Sequence, residues 1–214
     1  MTFFYTFGSS MTYPSRYIES AVNEISRLPG IGKKTALRMV LHLFNEPVEN
    51  TMKLSQALLD MRTKINHCHL CKNISDGEEC DICTNPKRNR ELLCIVESAR
   101  DVMAIEKTSQ YPGLYYVLGG IISPVNGISP DDINIPGLIQ RINNNEVKEI
   151  IMGLSPTMDG DTTIYYLSKK IREIKTHEEL HITTMARGIP VGGELEFTDE
   201  ITLGRSILNR NEVK

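Results

Sequence analysis

The sequence predicts an α+β chain built from several units, and three observations carry that prediction. Apolar residues fall at helical spacing between Ser15 and Ile65, four cysteines crowd between Cys68 and Cys83, and strand and helix signals alternate after Arg90. The expected order is an N-terminal extension (1–10), a helical unit (11–66), a cysteine-rich unit (67–90), an α/β unit with a mainly parallel sheet (91–185) and a short C-terminal segment (186–214).

Composition sets the bounds. With 214 residues, 40% hydrophobic and 24% charged, the chain can bury a substantial core. Its net charge of -3 creates no overall positive field, so a nucleic-acid partner would have to be held by local patches. The opening MTFFYTFGSS lacks the basic start of a secretory signal, and Met11 is an alternative start. No run approaches the roughly 18 apolar residues of a membrane span. The expectation is a cytoplasmic protein with reduced cysteines.

The helical unit comes first. Tyr17, Ile18, Ala21, Val22, Ile25 and Leu28 predict a helix over 15–27 that ends at Pro29-Gly30. Ala36, Leu37, Val40, Leu41 and Phe44 predict the buried side of a second helix over 33–44, stopped near Pro47. A third is expected over 54–65. Between the first two lies Leu28-Pro-Gly-Ile-Gly-Lys33. Gly30 and Gly32 let backbone approach a ligand, and the amides opening the next helix lack intrahelical partners, so they suit an anion. Lys33 and Lys34 add charge, and Lys34, Arg38 and His42 recur every four residues. Five Lys or Arg against two Glu give residues 11–44 a local +3. Two readings stay open at this point: a clamp on DNA phosphates, or a helical hairpin with a solvated basic face.

Cys68-His-Leu-Cys71 and Cys80-Asp-Ile-Cys83 form two C-x2-C knuckles. Four thiolates complete a tetrahedral shell with no open position, which predicts one structural zinc ion per chain. Bound zinc would supply folding energy to a segment with little core of its own. His67 and His69 are expected as exposed neighbours; two disulfides and an iron-sulfur cluster are the rivals. Cys94 lies in an apolar run and reads as a buried hydrophobe.

The α/β unit is expected to contain strands at 92–96, 114–118, 149–154 and 180–185, with helices at 99–107, 136–143 and 162–174. Glu97 follows the first strand, and Asp159 and Asp161 follow the third. At the carboxyl ends of strands, three carboxylates could hold hydrated Mg2+ for phosphoryl transfer. Equally, Asp159 and Asp161 could serve a turn and a helix N-cap.

The ordered motifs resemble the RecR family of bacterial recombination mediators from about Tyr13 to Arg210. The resemblance rests on Leu28-Pro-Gly-Ile-Gly32, the four cysteines, Leu93-Cys-Ile-Val-Glu97 followed by Ala99-Arg-Asp-Val102, and Tyr116-Val-Leu-Gly-Gly120. It extends through Ser155-Pro-Thr-Met-Asp-Gly-Asp-Thr162 and Ala186-Arg-Gly-Ile-Pro-Val-Gly-Gly-Glu-Leu-Glu196.

The resemblance implies a helix-hairpin-helix domain, a four-cysteine zinc finger, a Toprim domain and a C-terminal region. It implies a homotetrameric, ring-shaped clamp without hydrolytic activity. Such a clamp would hold double-stranded and gapped DNA and act with RecO and RecF, helping RecA replace single-strand binding protein at gaps. Lys34 and Arg38 match the family's DNA-contacting positions, while Lys33 stands where many relatives carry Pro. Glu97, Asp101, Asp159 and Asp161 match the Toprim acidic positions, linked in the family to RecO and DNA. Relatives often carry Glu at 159 and 161. Gly188 to Glu196 is assigned an interdomain and oligomer role, and the protein a place at the nucleoid. Mg2+ is an option at the acids, not a requirement.

The alternative is a small Mg2+-dependent Toprim nuclease. A topoisomerase would need further domains for which the chain has no room, and a primase a nucleotide site that the sequence does not reveal. A zinc-stabilised scaffold binding only proteins is the third reading.

Overall fold

The structure is a computed structural model that describes residues 13–144, 147–174, 180–210 and 212; the expected extension 1–10 and Met11 lie outside the described residues. The chain divides after Lys64 into two compact units.

The described residues of the first unit form three helices: α1 (Arg16–Ile25), α2 (Lys33–Asn45) and α3 (Val48–Lys64). Ser15 caps α1 by accepting the Tyr17 N–H at 3.2 Å. Helix α3 begins six residues earlier than the periodicity predicts. Pro47 opens it, and the Asn50 N–H already donates to the Pro47 carbonyl at 2.9 Å. A polar first turn needs no apolar stripe to be helical.

The core of this unit is small. Val22, Ala36 and Val40 are buried, with Ile18, Ala21, Ile25 and Leu37 packed around them. The expected buried side of α2 is only partly so, because Leu41 is 41% and Phe44 74% exposed. Helix α3 buries no residue fully. Three helices of this length enclose too little volume to take every apolar side chain inside.

The second unit begins with a short antiparallel pair, β1 (Asn66–His67) and β2 (Ile74–Ser75), and a single turn of helix, α4 (Asp81–Thr84). A four-stranded sheet follows, made of β3 (Asn89–Val96), β4 (Gly113–Val117), β5 (Glu149–Gly153) and β6 (His181–Thr184). Its order is β4-β3-β5-β6 and every pairing is parallel. Helices α5 (Ala99–Glu106), α6 (Ile135–Asn144) and α7 (Met158–Ile174) make the crossovers, as parallel pairing requires. Helix α8 (Glu200–Leu208), which the sequence reading did not assign, follows β6 and is capped by Asp199 on the Thr202 N–H at 2.9 Å.

Strand alternation sorts the core onto two faces. Leu93, Ile95, Tyr116, Ile150 and Met152 pack with Leu138 and Ile142 of α6 and Leu167 and Ile171 of α7. Cys94, Val96, Tyr115 and Val117 pack with Val102 of α5. Cys94 is 2% exposed, and burial pushes its thiol up to about 12. It is a core residue and lies outside the cysteine quartet.

Candidate nucleic-acid interface and metal centre

The turn between α1 and α2 has the conformation its glycines permit. Gly30 sits at φ +80°, a left-handed conformation that costs a side-chain-bearing residue about 1 kcal/mol or more. Gly32 is the N-cap of α2 and supplies no side-chain bond to the helix amides. A Cβ at either glycine would meet nothing within 4 Å, so the approach to those amides is open. The helix start is therefore an open set of donors without a side-chain cap.

The lysines there differ in role. Lys33 reaches across to the Asn23 side-chain oxygen of α1 and ties the two helices. Lys34 and Arg38 stand exposed one helical turn apart on α2. His42, a turn further on, lies 3.9 Å from Glu46. Gly30 and Gly32 thus leave the start of α2 open, Lys34 and Arg38 stand exposed on the turns that follow, and Lys33 is held on Asn23.

The four cysteines converge in the second unit. The sulfurs of Cys68, Cys71, Cys80 and Cys83 lie within 4.8 Å of one another, and all four residues are buried. Among the described residues this is the group of His, Cys, Asp and Glu side chains close enough to hold a metal ion. Each knuckle is shaped by the backbone. The Lys72 N–H donates to the Cys68 carbonyl and the Cys68 N–H to the Asn73 carbonyl, both at 2.8 Å, while Lys72 takes φ +62°. The Cys83 N–H donates to the Cys80 carbonyl at 3.0 Å. His67 and His69 are exposed and hold the carbonyls of Lys72 and Glu78 through Nδ1 at 3.2 and 2.9 Å, outside the quartet. All five cysteines are free thiols, so the quartet is not a pair of disulfides.

Charge around the quartet is uneven. The Cys71 thiol and the nearby Arg141 guanidinium hold Cys83 down to about 5, whereas the hydrogen bond to Cys83 and burial push Cys71 up. Arg141 comes from α6, is 8% exposed, and places Nη2 3.7 Å and Nη1 3.8 Å from the Cys83 sulfur. A metal held by four thiolates carries net negative charge; a buried guanidinium beside it offsets part of that charge. Sequence reading missed this residue. Its signal is an arginine three positions after Leu138 on the helix face that buries Leu138 and Ile142.

Further contacts join the cysteine cluster to the sheet. The Val117 N–H of β4 donates to the Cys71 carbonyl at 2.8 Å, and Ile82, between the second pair of ligands, packs on both faces of the core. Arg88, just beyond the cluster, forms an ion pair with Glu106 of α5 and donates to the Tyr111 carbonyl at 3.0 Å. The Tyr115 hydroxyl donates to the same carboxylate at 2.6 Å.

The four carboxylates singled out in the sequence do not gather into a metal-binding group. Glu97 stands half-buried after β3. Asp101 is the third residue of α5 and accepts from the Ser98 N–H and hydroxyl at 2.8 and 2.9 Å, closing a capping box. Asp159 accepts from the Ser123 hydroxyl at 2.6 Å. Asp161 receives two bonds from Arg187, a residue beyond β6, and that guanidinium holds its carboxyl below the usual range. Helix α7 starts at Met158 instead of Thr162, so both aspartates lie inside its first turn and neither is the N-cap. Carboxylates there favour the positive end of the helix. Gly160 between them lets the turn lie on the Ser155 carbonyl, which an added Cβ would approach to 2.0 Å.

Family comparisons follow the same layout. Residues 18–62 match the family described as RecR, helix-hairpin-helix, residues 91–185 match the Toprim domain, and residues 188–211 match RecR, C-terminal. The chain is 56% identical over 200 residues to the recombination protein RecR of Flavobacterium johnsoniae, covering 94% of this chain and 95% of that protein. It is 55% identical to the recombination protein RecR of Cytophaga hutchinsonii, covering 94% and 96%, and 50% identical to that of Porphyromonas gingivalis, covering 94% and 95%.

Proposed function

The chain belongs to the RecR family of recombination proteins, and from that premise we propose that it is a non-catalytic DNA-binding mediator of recombinational repair. In this reading it forms a ring-shaped homotetramer on double-stranded and gapped DNA and works with RecO and RecF. Through them it helps RecA load at gaps held by single-strand binding protein. The observation that carries DNA binding is the uncapped start of α2, reached past Gly30 and Gly32 and flanked by exposed Lys34 and Arg38.

The amides and the two cations act on backbone phosphates, which fixes position without reading sequence. Lys33 contributes by holding α1 against α2. With a net charge of -3, one chain would bind weakly and lose affinity steeply with salt. A ring would present several such entries to one duplex and raise avidity without new contacts.

Zinc is the metal that four buried cysteines without an open position suit best, and its role is structural. A Toprim domain raises the alternative of a Mg2+-dependent nuclease. The engagement of Asp101 by Ser98 and of Asp161 by Arg187 favours the non-catalytic reading. In that reading the acidic residues, Glu97 and Asp159 included, serve RecO and DNA contacts, and residues 188–196 serve the oligomer.

Retention on gapped circular DNA in rising salt, before and after linearisation, tests the proposal. A tetramer that persists on circles and leaves after cutting supports it, and Lys34→Glu with Arg38→Glu should lower retention at least tenfold. Cleavage of gapped DNA in Mg2+ that disappears in Asp159→Asn would replace it with the nuclease reading.

A further inference from the structure

A cavity of about 600 Å3 opens between the chain leaving β6 and the C-terminal end of α8, far along the sequence from the α2 entry. Its lining includes Arg187, Arg205 and Arg210, together with Ser206 and Asn209. Among the described residues, no Asp or Glu lines it. Three guanidinium groups around one cavity are unexpected in a chain of net charge -3.

The local chemistry is already anion-binding. Arg187 holds the Asp161 carboxylate with two N–H groups, and Arg205 adds its positive charge to that carboxylate's surroundings. Arg210 donates to the Ile207 carbonyl at 3.3 Å. A guanidinium has five donors in a planar fork that matches the oxygens of a phosphate, so these bonds leave each arginine with further donors. The cavity volume falls in the range of small-molecule sites and admits one nucleotide unit.

We propose that this cavity is a second anion site, taking a phosphate group through Arg205 and Arg210 while Arg187 stays anchored on Asp161. The phosphate has two sources, a DNA backbone or a free nucleotide. The first rests on the DNA-binding reading above; the second does not. Neither source requires the α2 entry, so the two sites are separable by mutation.

The test uses the full-length chain. Calorimetric titration with inorganic phosphate and with thymidine 5′-monophosphate, run in the Lys34→Glu, Arg38→Glu background so that the α2 entry does not contribute, should show binding that adding Arg205→Gln with Arg210→Gln weakens about tenfold. Duplex-DNA anisotropy against salt separates the sources. A slope shallower by about two in the arginine pair identifies a DNA backbone phosphate; an unchanged slope with lost nucleotide binding identifies a free ligand. Arg205→Lys with Arg210→Lys keeps the charge, and light scattering on each variant reads assembly mass, so a disturbed fold or ring is recognised and the lysine pair is then the comparison. Unaltered nucleotide titration in a folded arginine pair, or no phosphate binding by the parent chain together with an unchanged DNA slope, overturns the proposal. Unchanged DNA retention in the Lys34 and Arg38 variant would instead count against the α2 reading.

Discussion

Arg141 of α6 places its guanidinium within 3.8 Å of the Cys83 sulfur, inside a cluster that also bonds β4 through the Cys71 carbonyl. The cysteine knuckles are therefore built against the α/β unit and share its core through Ile82.

Replacing Arg141 by Met should keep the volume of the side chain and lose the charge. Without the guanidinium, thiolate at Cys83 is less favoured, and metal affinity should fall about tenfold. Competition with a chromophoric chelator measures this, and Arg141→Lys should recover part of the loss. An unchanged affinity would show that the contact is steric only.

Removing the metal should weaken the whole α/β unit. Cys71→Ser is expected to reduce bound zinc from one per chain toward none and to lower stability by on the order of 3 kcal/mol, a fall in Tm of roughly 10 °C. Metal analysis with thermal unfolding followed by tyrosine signals checks it, because Tyr115 and Tyr116 lie buried in the sheet. A cluster that melted alone, with the tyrosine transition unmoved, would contradict the coupling.

Acid should act through Glu106. Burial raises its carboxyl, but the Arg88 and Tyr115 hydrogen bonds and the Arg88 charge prevail and lower it. A carboxyl lowered on folding adds stability that is full above its unfolded value near 4.5 and is lost as pH falls through the folded one. The expected signature is a drop in Tm below about pH 4.5 that is smaller in Glu106→Gln. At neutral pH that variant should be less stable by about 2 kcal/mol, since Arg88 is only 15% exposed and loses its charged partner.

The two glycines of the α1–α2 turn should separate fold from binding. Gly30→Ala forces a side chain into φ +80° and should cost the helical unit about 1 kcal/mol. Gly32→Ala, at φ -83° with open space, should cost a few tenths to about 1 kcal/mol as a poorer N-cap. Its larger effect should be on DNA, because the new methyl group lies beside the helix amides. Thermal unfolding and DNA anisotropy on both variants test this; equal effects of Gly32→Ala on both readouts would deny the amides a role.

Much of this architecture was legible locally. The parallel character of the sheet follows from apolar runs with two buried faces, such as Leu92 to Val96, and the metal quartet from the spacing of its knuckles, whereas the order β4-β3-β5-β6 has no local signal. The start of α3 at Val48 and of α7 at Met158 was not, because a helix's first turn is set by Pro47 or by carboxylates facing the amides, not by apolar periodicity. Helix α8 buries no residue, and its start is set by the polar cap Asp199.

The sequence alone determined the helical unit, the cysteine knuckles, the parallel α/β unit and the glycine turn, since each leaves a pattern among residues a few positions apart. Only the tertiary structure decided what the charged side chains do. Asp161 meets Arg187 across 26 residues, Arg88 meets Glu106 across 18, and Arg141 meets Cys83 across 58. A charge acquires its role from whatever the fold brings within about 4 Å of it, and no local pattern encodes that partner.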